Sequence, residues 1–252
     1  VAFKDHFSRT ARQYTQSRPH YPRTLFEFLA TLPARRDRAW DCGTGGGQAA
    51  VAMAEFFDEV VATDPSAQQI AHAQVHPRVE YLVATAEQSP LEDRSVNLVA
   101  AAQALHWFDL ERFYDEVRRV AQPAGVVAAW GYEMCRITGQ IDPVIGHLYR
   151  EILGSYWPPE RKVTETRYTT IPFPFPEIPA PQFAMTAQWR LDEVIGYLGT
   201  WSSVQQYIKR HAANPISAVE SDLAAAWGPP ETVRQVTWPL FLRAGRIDPA
   251  AC

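Results

Sequence analysis

Apolar positions follow two different periods along this chain. Residues 39–42, 60–64, 79–83, 96–102 and 126–130 are short β-branched or apolar runs and read as strands. The run 96–102 is apolar at nearly every position, which predicts burial on both faces. Between these runs the apolar residues fall three and four apart. Residues 49–57 place Val51, Ala54 and Phe57 along one side, and Ser66 can cap a helix over 67–74. Asp109 caps a further helix with Phe113, Val117 and Val120 on one stripe, and Pro123-Ala124-Gly125 reads as the turn into the fifth strand. Alternation of this kind predicts an α/β fold, a mostly parallel sheet with helices on both faces. Ligands of such sheets bind beyond the carboxyl ends of the strands. The glycines after residue 42, Asp64, Ala86-Glu87 and residues 103–107 should therefore gather on one rim.

The flanks are less regular. Residues 5–16 predict a helix that must stop near Arg18, because Pro19 disfavours helical geometry before it. Pro22 opens a second helix carrying Leu25, Phe26, Phe28, Leu29 and Leu32. Arg35 to Arg38 reads as a solvated link. After 131, residues 141–153, 191–201 and 204–211 have helical spacing, and 234–243 alternates as a final strand. Residues 171–181 hold five prolines around Phe173 and Phe175. They read as an extended connector, with a stiff wall over a pocket as the alternative.

Composition narrows the classes. Net charge is −4, so no broad basic surface for nucleic acid is expected. No apolar run approaches the ~18 residues of a membrane helix, and the first fifteen residues contain no apolar signal core. Cys42, Cys135 and Cys252 are scattered and odd in number, which fits a reducing cytoplasm better than a disulfide framework. The chain starts at Val1, so a few N-terminal residues are expected to be missing. Most of the eight tryptophans and twenty prolines fall after residue 105, so the second half is the more aromatic and less regular one.

The chemistry concentrates in Trp40-Asp41-Cys42-Gly43-Thr44-Gly45-Gly46-Gly47-Gln48. Four glycines in five residues, between a strand and a helix, predict a backbone bent so that a ligand can lie against it. The dinucleotide pattern Gly-x-Gly-x-x-Gly fails at Gln48, and the Gly-Lys-Ser/Thr ending of a phosphate loop is absent. What remains is acid-x-Gly-x-Gly-x-Gly from Asp41, with a second acid, Asp64, closing the next strand.

This order resembles the class I S-adenosylmethionine-dependent methyltransferases. The resemblance continues through Ala86-Glu87, Gln103-Ala104-Leu105-His106-Trp107 and the turn 119–125. Tyr14-x-x-x-Arg18-Pro19-x-Tyr21-Pro22, His106-Trp107 and Thr200-Trp201-Ser202-Ser203 are similar to the type 11 branch, which includes enzymes like trans-aconitate methyltransferase. Trp40 and Asn97 depart from the family pattern, at positions that concern packing and local capping.

The resemblance implies a Rossmann-like, seven-stranded, mostly parallel sheet with a helical and aromatic lid. It implies one domain over 1–252: an N-terminal lid (1–36), a cofactor core (37–131), a substrate cap with the sixth strand (132–215), and a C-terminal helix with the final strand (216–252). The cofactor is expected to be S-adenosylmethionine. Gly43, Thr44, Gly45 and Gly47 would approach its methionine and ribose portions, Asp41 its amino group, and Asp64 both ribose hydroxyls. Pro65 would pack on the adenine edge, while the Ala86 N–H and Glu87 would read the adenine. Gln103 and Ala104 would lie beneath the sulfonium, beside Trp107. Tyr14 and Arg18 would cover the cofactor carboxylate. His106 is the candidate base, with a histidine bonded to the rim as the alternative. The acceptor is expected to be a small organic molecule, in line with the acid substrates of the trans-aconitate branch. Trp130, Tyr132, Tyr156, Trp157, Phe173, Trp201 and Tyr207 are candidates for its pocket, and Arg136, Arg161, Arg167 and Arg210 for its charge. An RNA or protein methyltransferase, and a cofactor-binding protein without transfer, are the alternatives. His72 and His76 lack a third ligand, so no metal site is expected, and Cys42 reads as a packing residue.

Overall fold

The computed structural model describes residues 19–247. The helix expected over 5–16, and with it Tyr14, Arg18 and Cys252, lies outside the described residues. The elements that frame the site are α1 (Arg23–Thr31), β1 (Arg38–Cys42), α2 (Gln48–Met53), β2 (Glu59–Asp64), α3 (Ala67–Ala71), β3 (Val79–Val83), β4 (Val96–Ala102), α4 (Leu110–Val120) and β5 (Ala121–Tyr132). The second half supplies α5 (Ile141–His147), α6 (Arg161–Glu165), β6 (Phe183–Trp189), α7 (Leu191–Gly199), α8 (Ser202–His211), α9 (Glu220–Trp227) and β7 (Arg234–Arg246).

The seven strands form one sheet in the order β3-β2-β1-β4-β5-β7-β6. Strands β1 to β5 pair in parallel, and β7 runs antiparallel to both β5 and β6. The expected seven-stranded, mostly parallel sheet is what forms. Adjacent residues of the central strands enter opposite layers, as the pleat requires. Trp40, Cys42, Val99, Ala101, Val127 and Ala129 pack on the α4 side. Ala39, Leu98, Ala100, Val126 and Ala128 pack on the side of α1 and α2. Leu98 to Ala101 are all fully buried, as their apolar run predicted.

Several boundaries differ from the sequence reading. Residues 123–125 do not precede β5 but bulge within it. Val96 pairs with Ala121 while Leu98 pairs with Val126, so the segment carrying Pro123, which has no N–H to give, loops out of register. Asn97 explains its departure here. Its Oδ1 accepts from the N–H groups of Asp37 and Arg38, and its Nδ2 donates to Gln122, a donation no carboxylate could make. Trp40 is fully buried; its indole N–H donates to Thr63 Oγ1 at 2.9 Å and its ring lies against Phe113. The helix from Ala67 stops at Ala71, because the Gln74 N–H donates to Gly46 O and the Gln74 carbonyl accepts from the Tyr81 hydroxyl. Helix α2 likewise ends at Met53, whose carbonyl takes the N–H groups of both Phe56 and Phe57. Residues 148–152 continue α5 as a wider π-helical turn, and Trp201 opens α8 rather than closing α7.

The proline-rich segment is a connector. The Pro172 carbonyl accepts from the Tyr114 hydroxyl, and Ile178 and Pro176 bond to β7. Phe173 stacks on Tyr114 and Phe175 beneath the Arg243 guanidinium. The chain beyond β5 also builds an apolar cluster of its own, with Ile141, Leu148, Val194, Leu198, Trp227 and Trp238 in its interior.

Candidate functional site

The strand order reverses between β1 and β4, which go to opposite neighbours. The two loops leaving this switch point touch: a Cβ on Gly43 would lie 2.6 Å from the Ala104 Cβ. The glycine loop is fastened from both sides. The Gly43 and Thr44 N–H groups donate to Thr63 O at 2.8 and 3.0 Å, and the Gly45 N–H donates to Asp64 Oδ2 at 2.9 Å. The other Asp64 oxygen accepts from the Ser66 N–H, whose hydroxyl caps α3. Asp64 therefore holds the loop as well as facing the rim, a role its place in the sequence did not disclose.

Gly43, Gly45 and Gly47 all take positive φ, at 70°, 54° and 80°. They are not equivalent. Gly43 is crowded by Ala104 and Phe108, and Gly47 by the Tyr81 ring, whereas nothing lies within 4 Å of a Cβ on Gly45. Of the three, Gly45 is the position with open space above it.

Asp41 sits fully buried at the end of β1. Thr44 Oγ1 donates to its Oδ2 at 2.6 Å, while Oδ1 has no hydrogen-bond partner among the described residues. Burial pushes its pKa up to about 7, with the charge of Asp64 adding to the rise and the Thr44 and Ala50 bonds opposing it. Across the switch point, Gln103 takes φ 54° and its N–H donates to Trp130 O. The Gln103 Nε2 is also buried without a partner among the described residues. The strands that meet at the switch point thus lead into an orphaned carboxylate oxygen at Asp41 and an orphaned amide at Gln103. Such groups cost stability unless a ligand satisfies them.

The rest of the rim follows. Ala86 is buried just after β3, and Glu87 accepts from the Asp109 N–H at 2.9 Å, so it also caps the approach to α4. Pro65 is partly buried beside Asp64. Trp107 lies 4.9 Å from the His106 ring. Gln48, the residue that broke the dinucleotide pattern, donates to Pro19 O at 3.2 Å and lies 3.0 Å from His20 Nδ1. It ties the segment that follows Arg18 to the glycine loop.

His106 does not suit the role of general base. Its Nδ1 is 2.9 Å from the Tyr168 hydroxyl. Burial and the nearby charge of Arg161 push its pKa down to about 3, far below the value a base needs near neutral pH. Tyr168 is itself fully buried and held at φ 59°. Its burial pushes its hydroxyl pKa up, so it stays protonated. The alternative reading of His106, a histidine bonded at the rim, fits this geometry.

The pocket candidates divide. Tyr132, Trp157 and Trp201 share the apolar cluster of the second half with Tyr149. Trp130 instead packs with Tyr21 and Phe26 on the opposite layer, and Phe173 is part of the connector, against Tyr114 and Phe175. Tyr156 and Tyr207 stack with His211 at the outside of α8. His72 and His76 bond to nearby backbone, and the described residues hold no group able to bind a metal ion. No helix among them is long and apolar enough to cross a membrane.

Comparisons with known proteins agree with this architecture. Residues 40–129 match the family described as a methyltransferase domain. A Dictyostelium discoideum protein named as a methyltransferase is 32% identical over 229 residues, covering 89% of this chain and 87% of that one. A solved structure from Anaeromyxobacter dehalogenans, titled a type II methyltransferase, is 49% identical with a TM-score of 0.87, covering 92% of this chain and 99% of that one. A Saccharomyces cerevisiae protein named as an S-adenosylmethionine-dependent methyltransferase is 30% identical over 128 residues, 47% of this chain and 44% of that one. With its sheet order, its glycine loop and these relatives, the chain belongs to the class I S-adenosylmethionine-dependent methyltransferases.

Proposed function

We propose that this enzyme transfers the methyl group of S-adenosylmethionine to a small organic carboxylic acid. The acceptor reading rests on the placement of His106: its Nδ1 lies 2.9 Å from the buried Tyr168 hydroxyl, and burial together with the Arg161 charge lowers its pKa. A hydroxyl or carbon acid would need a base with a pKa near working pH. A carboxylate is already ionised and needs none.

The cofactor supplies an electrophilic methyl group on a cationic sulfur. Asp41 would meet its ammonium group with the orphaned Oδ1, and Asp64 the ribose hydroxyls. The Gly45 backbone has room for close approach, and Gln103 would use its Nε2 at the floor beside Ala104 and Trp107. Pro65, Ala86 and Glu87 would border the adenine, and Tyr14 and Arg18 would cover the carboxylate end. Gln48 draws the neighbouring Pro19 onto the loop, in keeping with that last assignment. In the transfer, an acceptor oxygen gives its electron pair to the methyl carbon while the carbon–sulfur bond breaks toward sulfur. No proton moves, so the protein's work is alignment and exclusion of water. A substrate cap over 132–215 and a cytoplasmic location belong to the same proposal. The unpaired thiols of Cys42 and Cys135 suit a reducing compartment.

Calorimetry with S-adenosylhomocysteine tests the cofactor site, and mass spectrometry of reactions with organic acids, phenols and tRNA tests the acceptor. Methyl esters of one or more acids are expected. Transfer to tRNA or phenols alone would refute the acceptor reading.

A further inference from the structure

The cap holds a cation that no carboxylate bridges among the described residues. Arg161 opens α6, which packs on the rim turn 105–107. Its Nε donates to the Tyr149 hydroxyl at 3.1 Å. Its guanidinium lies 5.1 Å from the centre of the Trp157 ring and 5.8 Å from that of Tyr149. The Tyr149 hydroxyl in turn donates to Glu165, which is exposed. Among the described residues no carboxylate pairs with Arg161, and its two terminal nitrogens have no hydrogen-bond acceptor. Its charge instead acts on His106, across at the rim.

The other arginine candidates differ in this respect. Arg136 and Arg167 both bridge to Glu133 and are 62% and 59% exposed. Arg210 is exposed on the outer face of α8. A half-buried guanidinium set against aromatic rings, with no carboxylate beside it among the described residues, carries a desolvation cost that an arriving anion would offset. The planar fork matches a carboxylate in two parallel bonds. Because Tyr149 occupies the Nε edge, the edge left for a ligand is the one formed by the two terminal nitrogens.

We propose that Arg161 is the specificity-determining residue for the acceptor, clamping a carboxylate end-on between the cap and the His106 turn, with Tyr149 as its positioning residue. This rests on the methyl-transfer reading of the site and deepens it. Arg161 selects acids over neutral molecules of the same shape, and Glu165 steadies Tyr149 from outside.

The test uses the full chain saturated with S-adenosylhomocysteine. Benzoate, cinnamate and glutarate are each titrated against the corresponding primary amide, in wild type, Arg161→Met and Arg161→Lys. At least one acid is expected to bind wild type about tenfold or more tighter than its amide, as a charge-assisted pair implies. Arg161→Met should lose that preference and Arg161→Lys keep part of it, both with S-adenosylhomocysteine affinity unchanged. The proposal is overturned if wild type prefers none of the acids, or if Arg161→Met discriminates as well as wild type. Should Arg161→Met fail to fold, Arg161→Lys discriminating as fully as wild type would overturn it in the same way. Failure of wild type to bind S-adenosylhomocysteine is a different result, which sinks the methyl-transfer reading itself.

Discussion

Replacing Asp41 with asparagine separates what this carboxylate costs the fold from what it gives the ligand. The side chain is fully buried and its pKa is raised from 3.8 to about 7, chiefly by burial. The folded state therefore holds a proton that the unfolded chain has released. Stability from this group is fully present below pH 3.8 and is lost as pH rises toward about 7. Between pH 5 and 7.5 the loss comes to about 2–3 kcal/mol, at 1.36 kcal/mol per unit. An asparagine side chain does not titrate, so the stability difference between Asp41→Asn and wild type should shift by about that amount in the variant's favour over this range. Thr44 can still donate to the amide oxygen, which keeps the substitution conservative. Binding should move the other way. A ligand ammonium needs Asp41 ionised, so wild type should bind S-adenosylhomocysteine several-fold tighter at pH 7.5 than at pH 6. The variant should bind more weakly and without that slope. Urea unfolding at the two pH values, with calorimetry alongside, measures both. Parallel pH dependences for the two proteins would show that Asp41 is not the group holding the proton, and the reasoning fails.

Three further outcomes are expected. Asp64→Ala should weaken S-adenosylhomocysteine binding at least ten- to a hundredfold in calorimetry, because each charge-assisted bond lost to a ribose hydroxyl is worth about 1.5–3 kcal/mol. Gly47→Ala should destabilise more than Gly45→Ala in thermal melts, by about 1–3 kcal/mol of overpacking against Tyr81, although both positions have positive φ. The kcat/KM profile should show no limb near pH 6.5 from His106, whose pKa lies near 3. His106→Gln should keep that profile's shape while removing a loss of stability that wild type suffers as pH falls from 6.5 toward 3.

The core was legible because its signals are local. Short β-branched runs, Ser66 and Asp109 as caps, and the spacing of Asp41, glycines and Asp64 each lie within a few residues, and the structure uses them in that order. Gln48 shows the limit. Its identity was enough to exclude a dinucleotide loop, but its bond to Pro19 joins segments 29 residues apart. The chemistry of His106 was hidden for the same reason. Tyr168 meets it from 62 residues away, and its pKa is lowered by burial and by a charge that sits on a five-residue helix with no strong periodicity. Strand β6 was expected within 132–215 without bounds, because its pattern of half-buried residues mixes Thr186 and Gln188 with aromatics just after the prolines. Arg161 looked like three other arginines in the sequence; only the position of Glu133 shows which of them are already paired.

The central claim is methyl transfer to an acid. The most direct measurement is a reaction of S-adenosylmethionine labelled in its methyl group with a mixture of organic acids, followed by mild alkaline hydrolysis of the product. Transfer to an acid puts the label in a product that releases labelled methanol on treatment with base, as a methyl ester does. Label retained in a base-stable product, or no transfer from protein that binds S-adenosylhomocysteine, would contradict it.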